Sequence, residues 1–176
     1  MICVHAAAVK NIKNAMENKN IKKVLTLCVI HKENKILLGM KKRGFGSGRW
    51  NGFGGKLKNG ESIEQGLKRE IKEEAGIELT DLEKVGIIDF EFIDNPEILE
   101  VHIFKSNNFN GVPTESEEMK PQWFDIDKIP FSEMWPDDIY WMPLFLEGKK
   151  FKGKFLFGKE QNNNILEKEL TEVGEI

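Results

Sequence analysis

At 176 residues the chain has the length of one domain, enough to bury a core without disulfide or metal staples. Hydrophobic residues make up 40% and charged residues 31%, and 26 Lys and Arg against 29 Asp and Glu give a net charge of −3. This excludes a general attraction for nucleic acid or an anionic membrane surface and leaves any phosphate site to be built locally. No apolar run approaches the ~18 residues of a membrane span, and the two cysteines, Cys3 and Cys28, exclude a disulfide framework and point to a reducing compartment.

Residues 1–22 carry Lys10, Lys13, Lys19 and Lys22 against one acid, Glu17. Their apolar piece, residues 2–9, is interrupted by His5 and lacks a cleavage site, so it is a poor secretory signal. The Arg and Ser of a mitochondrial presequence are missing too. The stretch is expected to be a disordered extension, with one domain over residues 23–176. Residues 23–31 (KVLTLCVIH) and 36–40 are β-branched and apolar and predict two strands, joined by a hairpin turn centred on Asn34. Six glycines follow between Gly44 and Gly55, a density that lets backbone pass close to another group.

Residues 62–75 give the clearest helix. Ser62 and Gln65 make a capping box, Ile63, Leu67, Ile71 and Ala75 form one apolar stripe, and Gly76 stands where a helix ends. Residues 85–93 and 98–104 predict paired strands around Asp94-Asn95-Pro96, and residues 122–124 a short strand. Residues 137–147 predict a helix that Pro143 keeps short or kinked. Residues 151–157 and 165–173 alternate as strands. The order excludes a regular βαβ fold and predicts an α+β fold with a mixed sheet.

Glu70, Glu73 and Glu74 fall within about 100° of one another on the first helix, beside its apolar stripe rather than opposite it. Composition alone allows a solvated acidic face. The glycine loop leading into this helix argues instead for clustered oxygens facing a hard divalent cation.

The spacing Gly55, five residues, Glu61, seven residues, Arg69-Glu70-Ile71, one residue, Glu73-Glu74, one residue, Gly76-Ile77 resembles the Nudix signature at all nine defined positions. Residues 39–56, Phe90-Glu-Phe92, residues 115–119 and residues 129–138 with Tyr140-Trp141 are similar to the animal MutT-homologue branch, which acts on oxidised purine nucleoside triphosphates. The resemblance covers residues 23–176. It implies a Nudix fold, a mixed β-sheet sandwiched between helices, and hydrolysis to nucleoside monophosphate and pyrophosphate with Mg²⁺, or Mn²⁺ as the alternative. It implies metal ligands at Glu70, Glu73, Glu74, Glu118 and the Gly54 carbonyl, with Glu74, Glu70 or Glu118 as base and Arg69 as an orienting partner of the carboxylates. Lys41 and residues 53–56 (Phe53, Gly54, Gly55, Lys56) are implied at the substrate. A purine pocket is implied from Thr26, Phe45, Asn51, Phe90, Phe92, Leu99, Trp135, Pro136, Asp137, Asp138 and Trp141. Leu99 departs from the methionine of the branch, a swap that conserves volume. The implied enzyme is a cytoplasmic monomer, with a mitochondrial or nuclear fraction as the alternative, taking a small nucleotide and neither nucleic acid nor membrane. Hydrolysis of another nucleoside diphosphate derivative is the alternative activity, and a catalytically dead module is disfavoured because no signature carboxylate is missing.

Overall fold

Leu25, Leu27 and Val29 face one apolar cluster while Cys28 and Ile30 face another. This period-two alternation makes β1 (Ile21–Lys32) a central strand buried on both sides. The computed structural model describes residues 21–159 and 164–176; the extension expected over residues 1–22 lies outside them but for Ile21 and Lys22, which β1 includes.

Strands β2 (Lys35–Lys41), β3 (Trp50–Asn51), β5 (Glu83–Phe92), β6 (Asn95–Ser106), β8 (Met119–Asp125), β9 (Lys150–Phe157) and β10 (Ile165–Val173) join β1 in a mixed eight-stranded sheet. Its order is β10-β9-β5-β6-β1-β2-β3, with β8 also on β2. β1 runs parallel to β6, with Thr26 opposite His102, and β5 runs parallel to β9, with Phe90 opposite Phe155. A small second sheet pairs β4 (Glu78–Leu79) with β7 (Phe109–Asn110).

Helix α1 (Ile63–Ala75) covers one face of the large sheet with Leu67, Ile71 and Ala75. Both halves of the Ser62–Gln65 capping box form, and Gly76 ends the helix at φ 70°. Helix α2 (Asp138–Leu146) covers the other face with Trp141, Met142 and Phe145, with Pro143 inside it. The sheet is therefore sandwiched between helices, as expected. No helix among the described residues is long and apolar enough to cross a membrane.

The β1–β2 hairpin forms where expected, on a tight Glu33-Asn34 connection in which Glu33 takes a positive φ of 55°. Closure of a two-residue hairpin overrides the preference of glutamate for negative φ. The following hairpin closes earlier than expected, because Asn95 and Pro96 already belong to β6.

Candidate active site

The glycine loop owes its course to close approach. Cys28 and Phe53 exchange backbone hydrogen bonds of 2.7 and 2.9 Å, and the Thr26 amide donates to the Gly55 carbonyl at 2.9 Å. Gly54 has φ 148°, and a Cβ there would fall inside the Thr26 carbonyl oxygen. A Cβ on Gly55 would stand 2.7 Å from the Glu70 carboxyl carbon. Only glycine lets β1, this loop and α1 meet.

α1 brings Glu74 beneath the loop, where it is 2% exposed. The Gly54 amide donates to its Oε2 at 2.9 Å, and Lys41 Nζ donates to its Oε1 at 3.1 Å. Burial raises the Glu74 pKa against these two favourable contacts. Lys41 also donates to Glu118 Oε2 at 3.3 Å, and Arg43 donates to Glu118 Oε1 at 2.8 Å. Arg43 leads in holding the Glu118 carboxyl below its usual range. Burial opposes the Lys41 ammonium, but Glu74 and Glu118 outweigh it and raise its pKa.

Arg69 gathers the other signature carboxylates. It donates to Glu61 at 2.6 and 2.9 Å, to Glu70 at 2.7 Å, to Glu73 at 3.2 Å and to the Lys56 carbonyl at 3.1 Å. Its hydrogen bonds, with the Lys58 amide second, pull the Glu61 pKa down to about 2. The donors on this side of the molecule are hard oxygens around the cations of Lys41 and Arg69. That chemistry fits Mg²⁺. Among the described residues no three acid, imidazole or thiol side chains already surround one point, because Lys41 and Arg69 hold the carboxylates.

One cavity of about 500 Å³ runs from Lys41, Glu74 and Glu118 to an aromatic end at Trp135, Asp137, Asp138 and Trp141. Thr26, Phe45, Asn51, Gly54, Gly55, Lys56, Phe90, Phe92 and Leu99 also line it. Phe45 rests on Trp135 with ring centroids 4.9 Å apart, and Phe92 stacks on Phe157 at 5.2 Å. Asp137 accepts from Trp141 Nε1 at 3.0 Å, and Asp138 accepts from the Trp135 amide at 3.0 Å. They are only 4% and 2% exposed. Burial lifts Asp137 to about 6; burial first and the charge of Asp137 second lift Asp138 well above the usual carboxylate range. Neither side chain caps an amide of the helix it precedes or begins.

Two residues expected at the substrate stand elsewhere. Phe53 is fully buried in the core against α1, because its backbone pairing with Cys28 turns its ring to that face. Pro136 lines a separate surface depression with Phe131 and Tyr140. Glu70, Glu73 and Arg69 lie beside the cavity rather than on its wall. The wall also contains Leu25, Leu27, Arg43, Val101, Met119 and Phe157, which the sequence reading missed. The alternation of Leu25 with Leu27 was the available signal for those two. Phe157 enters only because β9 lies beside β5.

The description "NUDIX domain" matches residues 21–145. The chain is 54% identical over 151 residues to the oxidized purine nucleoside triphosphate hydrolase of Mus musculus, covering 86% of this chain and 96% of that protein. It is also 54% identical over 154 residues to the protein of that name from Danio rerio, covering 88% and 97%. Among solved structures it is similar to the MutT protein of Bacillus halodurans, with a TM-score of 0.74 and 27% identity over 84% of this chain and 97% of that one. With most of its sheet, the first helix, all but the last residue of the second and the glycine loop inside the matched span, the chain belongs to the Nudix family.

Proposed function

We propose that this Nudix hydrolase cleaves purine nucleoside triphosphates bearing an oxidised base, such as 8-oxo-dGTP and 2-hydroxy-dATP, to monophosphate and pyrophosphate. The observation that carries this reading is the single cavity joining a carboxylate end to an aromatic end with two buried aspartates. The names borne by the 54% identical relatives support it.

At the carboxylate end, Glu70, Glu73, Glu74, Glu118 and the Gly54 carbonyl are the groups that would hold Mg²⁺, with Mn²⁺ as the alternative. A divalent cation bound there supplies charge neutralisation for the phosphates and a more acidic water. Lys41, next to Glu74 and Glu118, meets phosphate oxygen. A carboxylate of Glu74, Glu70 or Glu118 takes the proton of the attacking water. Arg69 orients Glu70 and Glu73 from outside the cavity.

At the other end the base stacks on Trp135 and the phenylalanines. Asn51 already accepts from the Gly52 amide at 2.8 Å through Oδ1, so its amide N–H groups serve the base. An ionised aspartate only accepts, whereas a protonated one also donates. Two adjacent buried aspartates favour sharing one proton, so moving that proton between Asp137 and Asp138 presents a different pattern to each purine. In cells this makes the chain a monomeric cytoplasmic enzyme of the nucleotide pool that limits mutation.

The test is pyrophosphate release from 8-oxo-dGTP, 2-hydroxy-dATP, O6-methyl-dGTP and dGTP, with and without Mg²⁺. The reading requires Mg²⁺-dependent release and a higher kcat/KM for the oxidised nucleotides than for dGTP. Equal rates on dGTP would refute it.

A further inference from the structure

Arg49 ends the glycine loop immediately before β3. Its backbone is fixed: its carbonyl accepts from the Lys41 amide at 2.9 Å, and its own amide donates to the Gly46 carbonyl at 3.2 Å. From this anchor the guanidinium crosses to a segment far along the chain. Nη1 donates to the Met134 carbonyl at 3.0 Å, and Cζ lies 4.8 Å from the centroid of the Trp135 ring. That separation is within the range of a cation–π contact.

The Met134 carbonyl and the Trp135 amide are the two ends of one peptide group. Arg49 donates to its oxygen. Asp138 accepts from its N–H through Oδ2 at 3.0 Å. A cation on the oxygen of a peptide makes its N–H a stronger donor, and hydrogen bonds in series polarise one another in a low-dielectric site. Asp137 accepts from the neutral indole N–H of Trp141, a group that also favours the charged form of Asp138. The Met134–Trp135 peptide is thus a partner of Asp138 and not of Asp137, and Arg49 acts on that peptide.

We infer that Arg49 is a positioning residue for base selection: through the Met134–Trp135 peptide it draws negative charge toward Asp138, against the burial and the neighbouring Asp137 charge that favour a proton there, and so shifts the ranking of purine substrates. This rests on the reading of the cavity proposed above. The guanidinium also rests on the Trp135 ring, which the glycine loop approaches closely as well: a Cβ on Gly46 would stand 3.2 Å from Trp135 Cζ2. Burial first and the charge of Asp137 second raise the Asp138 pKa, and the charge of Arg49 is the smallest of the contributions that oppose them.

The experiment measures kcat and KM separately for 8-oxo-dGTP and 2-hydroxy-dATP on the full chain, on Arg49→Met and on Arg49→Lys, with thermal melts of all three. Arg49→Met should change the ratio of the two kcat/KM values by at least about fivefold, mainly through KM, because what changes is how Asp138 and Trp135 meet the base. Arg49→Lys keeps a cation over the ring and a donor for the carbonyl, and should return most of that change. A ratio within about twofold of wild type in a folded Arg49→Met protein would make Arg49 a purely structural residue and overturn the inference alone. If wild type hydrolyses neither nucleotide, the functional reading fails and the inference fails with it.

Discussion

Lys41 Nζ stands 3.1 Å from Glu74 Oε1 and 3.3 Å from Glu118 Oε2, so one ammonium joins the buried carboxylate of α1 to a loop just before β8. The glycine loop closes the other side of Glu74 through the Gly54 amide. The carboxylate is thus enclosed, although its helix position beside Glu70 and Glu73 also suited an open acidic face.

Glu74→Gln tests what that enclosure is for. The side-chain carbonyl can still accept from Gly54, but the amide nitrogen brings no charge to Lys41 or to a cation. The substitution sets an amide N–H toward the Lys41 ammonium, but Lys41 keeps Glu118 and the cost of burying the Glu74 charge is relieved, so the protein should still fold, with a lowered melting temperature, while kcat falls more than about tenfold, or 1.4 kcal/mol of barrier. Retention of more than a tenth of wild-type kcat would remove Glu74 from the chemistry.

Asp137 provides a pH test of burial that needs no substrate. Its folded pKa is about 6 against an ordinary value of 3.8. The folded state therefore holds a proton that the unfolded state releases. The stability this contributes is fully present below about pH 3.8 and is lost as pH rises to about 6. Asp137→Asn keeps an acceptor for Trp141 and cannot ionise. Its melting temperature relative to wild type should rise between pH 4 and pH 7; parallel curves over that interval would mean that Asp137 is not held protonated by the fold.

Much of this architecture was legible locally. The Ser62–Gln65 box and Gly76 bounded α1, and the β-branched apolar run of residues 23–31 marked β1 as a strand. That Glu70, Glu73 and Glu74 share one side of α1 was legible from spacing; that Glu74 and not the other two reaches the cavity wall was not. Strand neighbours were not, since the parallel pairing of β5 with β9 depends on closing a long connection that carries no local signal. Phe157 was therefore missed at the cavity. Phe53 was expected at the substrate because its glycine neighbours are there, but pairing with Cys28 reverses its side chain. Pro136 fell outside for a similar reason: a single residue between Trp135 and Asp137 faces the opposite side of the segment. The link from Arg49 to Met134 spans 85 residues and has no counterpart in composition or periodicity.

The glycine loop yields a paired prediction. Gly54→Ala places a methyl group in the Thr26 carbonyl, and at φ 148° the backbone cannot yield. Gly48→Ala has nothing within 4 Å and only a φ of +82° to accommodate, a cost of about 1–2 kcal/mol. Melts and pyrophosphate-release rates should therefore separate the two: Gly48→Ala a weakened but active protein, Gly54→Ala one that loses the strand–loop–helix junction and its activity. Equal behaviour would show that close approach at Gly54 is not what the loop requires.

The central claim is that one cavity couples the carboxylate end to recognition of an oxidised purine. Competition between 8-oxo-dGTP and dGTP in one Mg²⁺-containing reaction, with the nucleotide products separated, measures that coupling directly. The account predicts that 8-oxo-dGMP and pyrophosphate appear first, with dGTP consumed at least about tenfold more slowly, a discrimination of 1.4 kcal/mol. Consumption of the two nucleotides at equal rates, or release of inorganic phosphate in place of pyrophosphate, would contradict it.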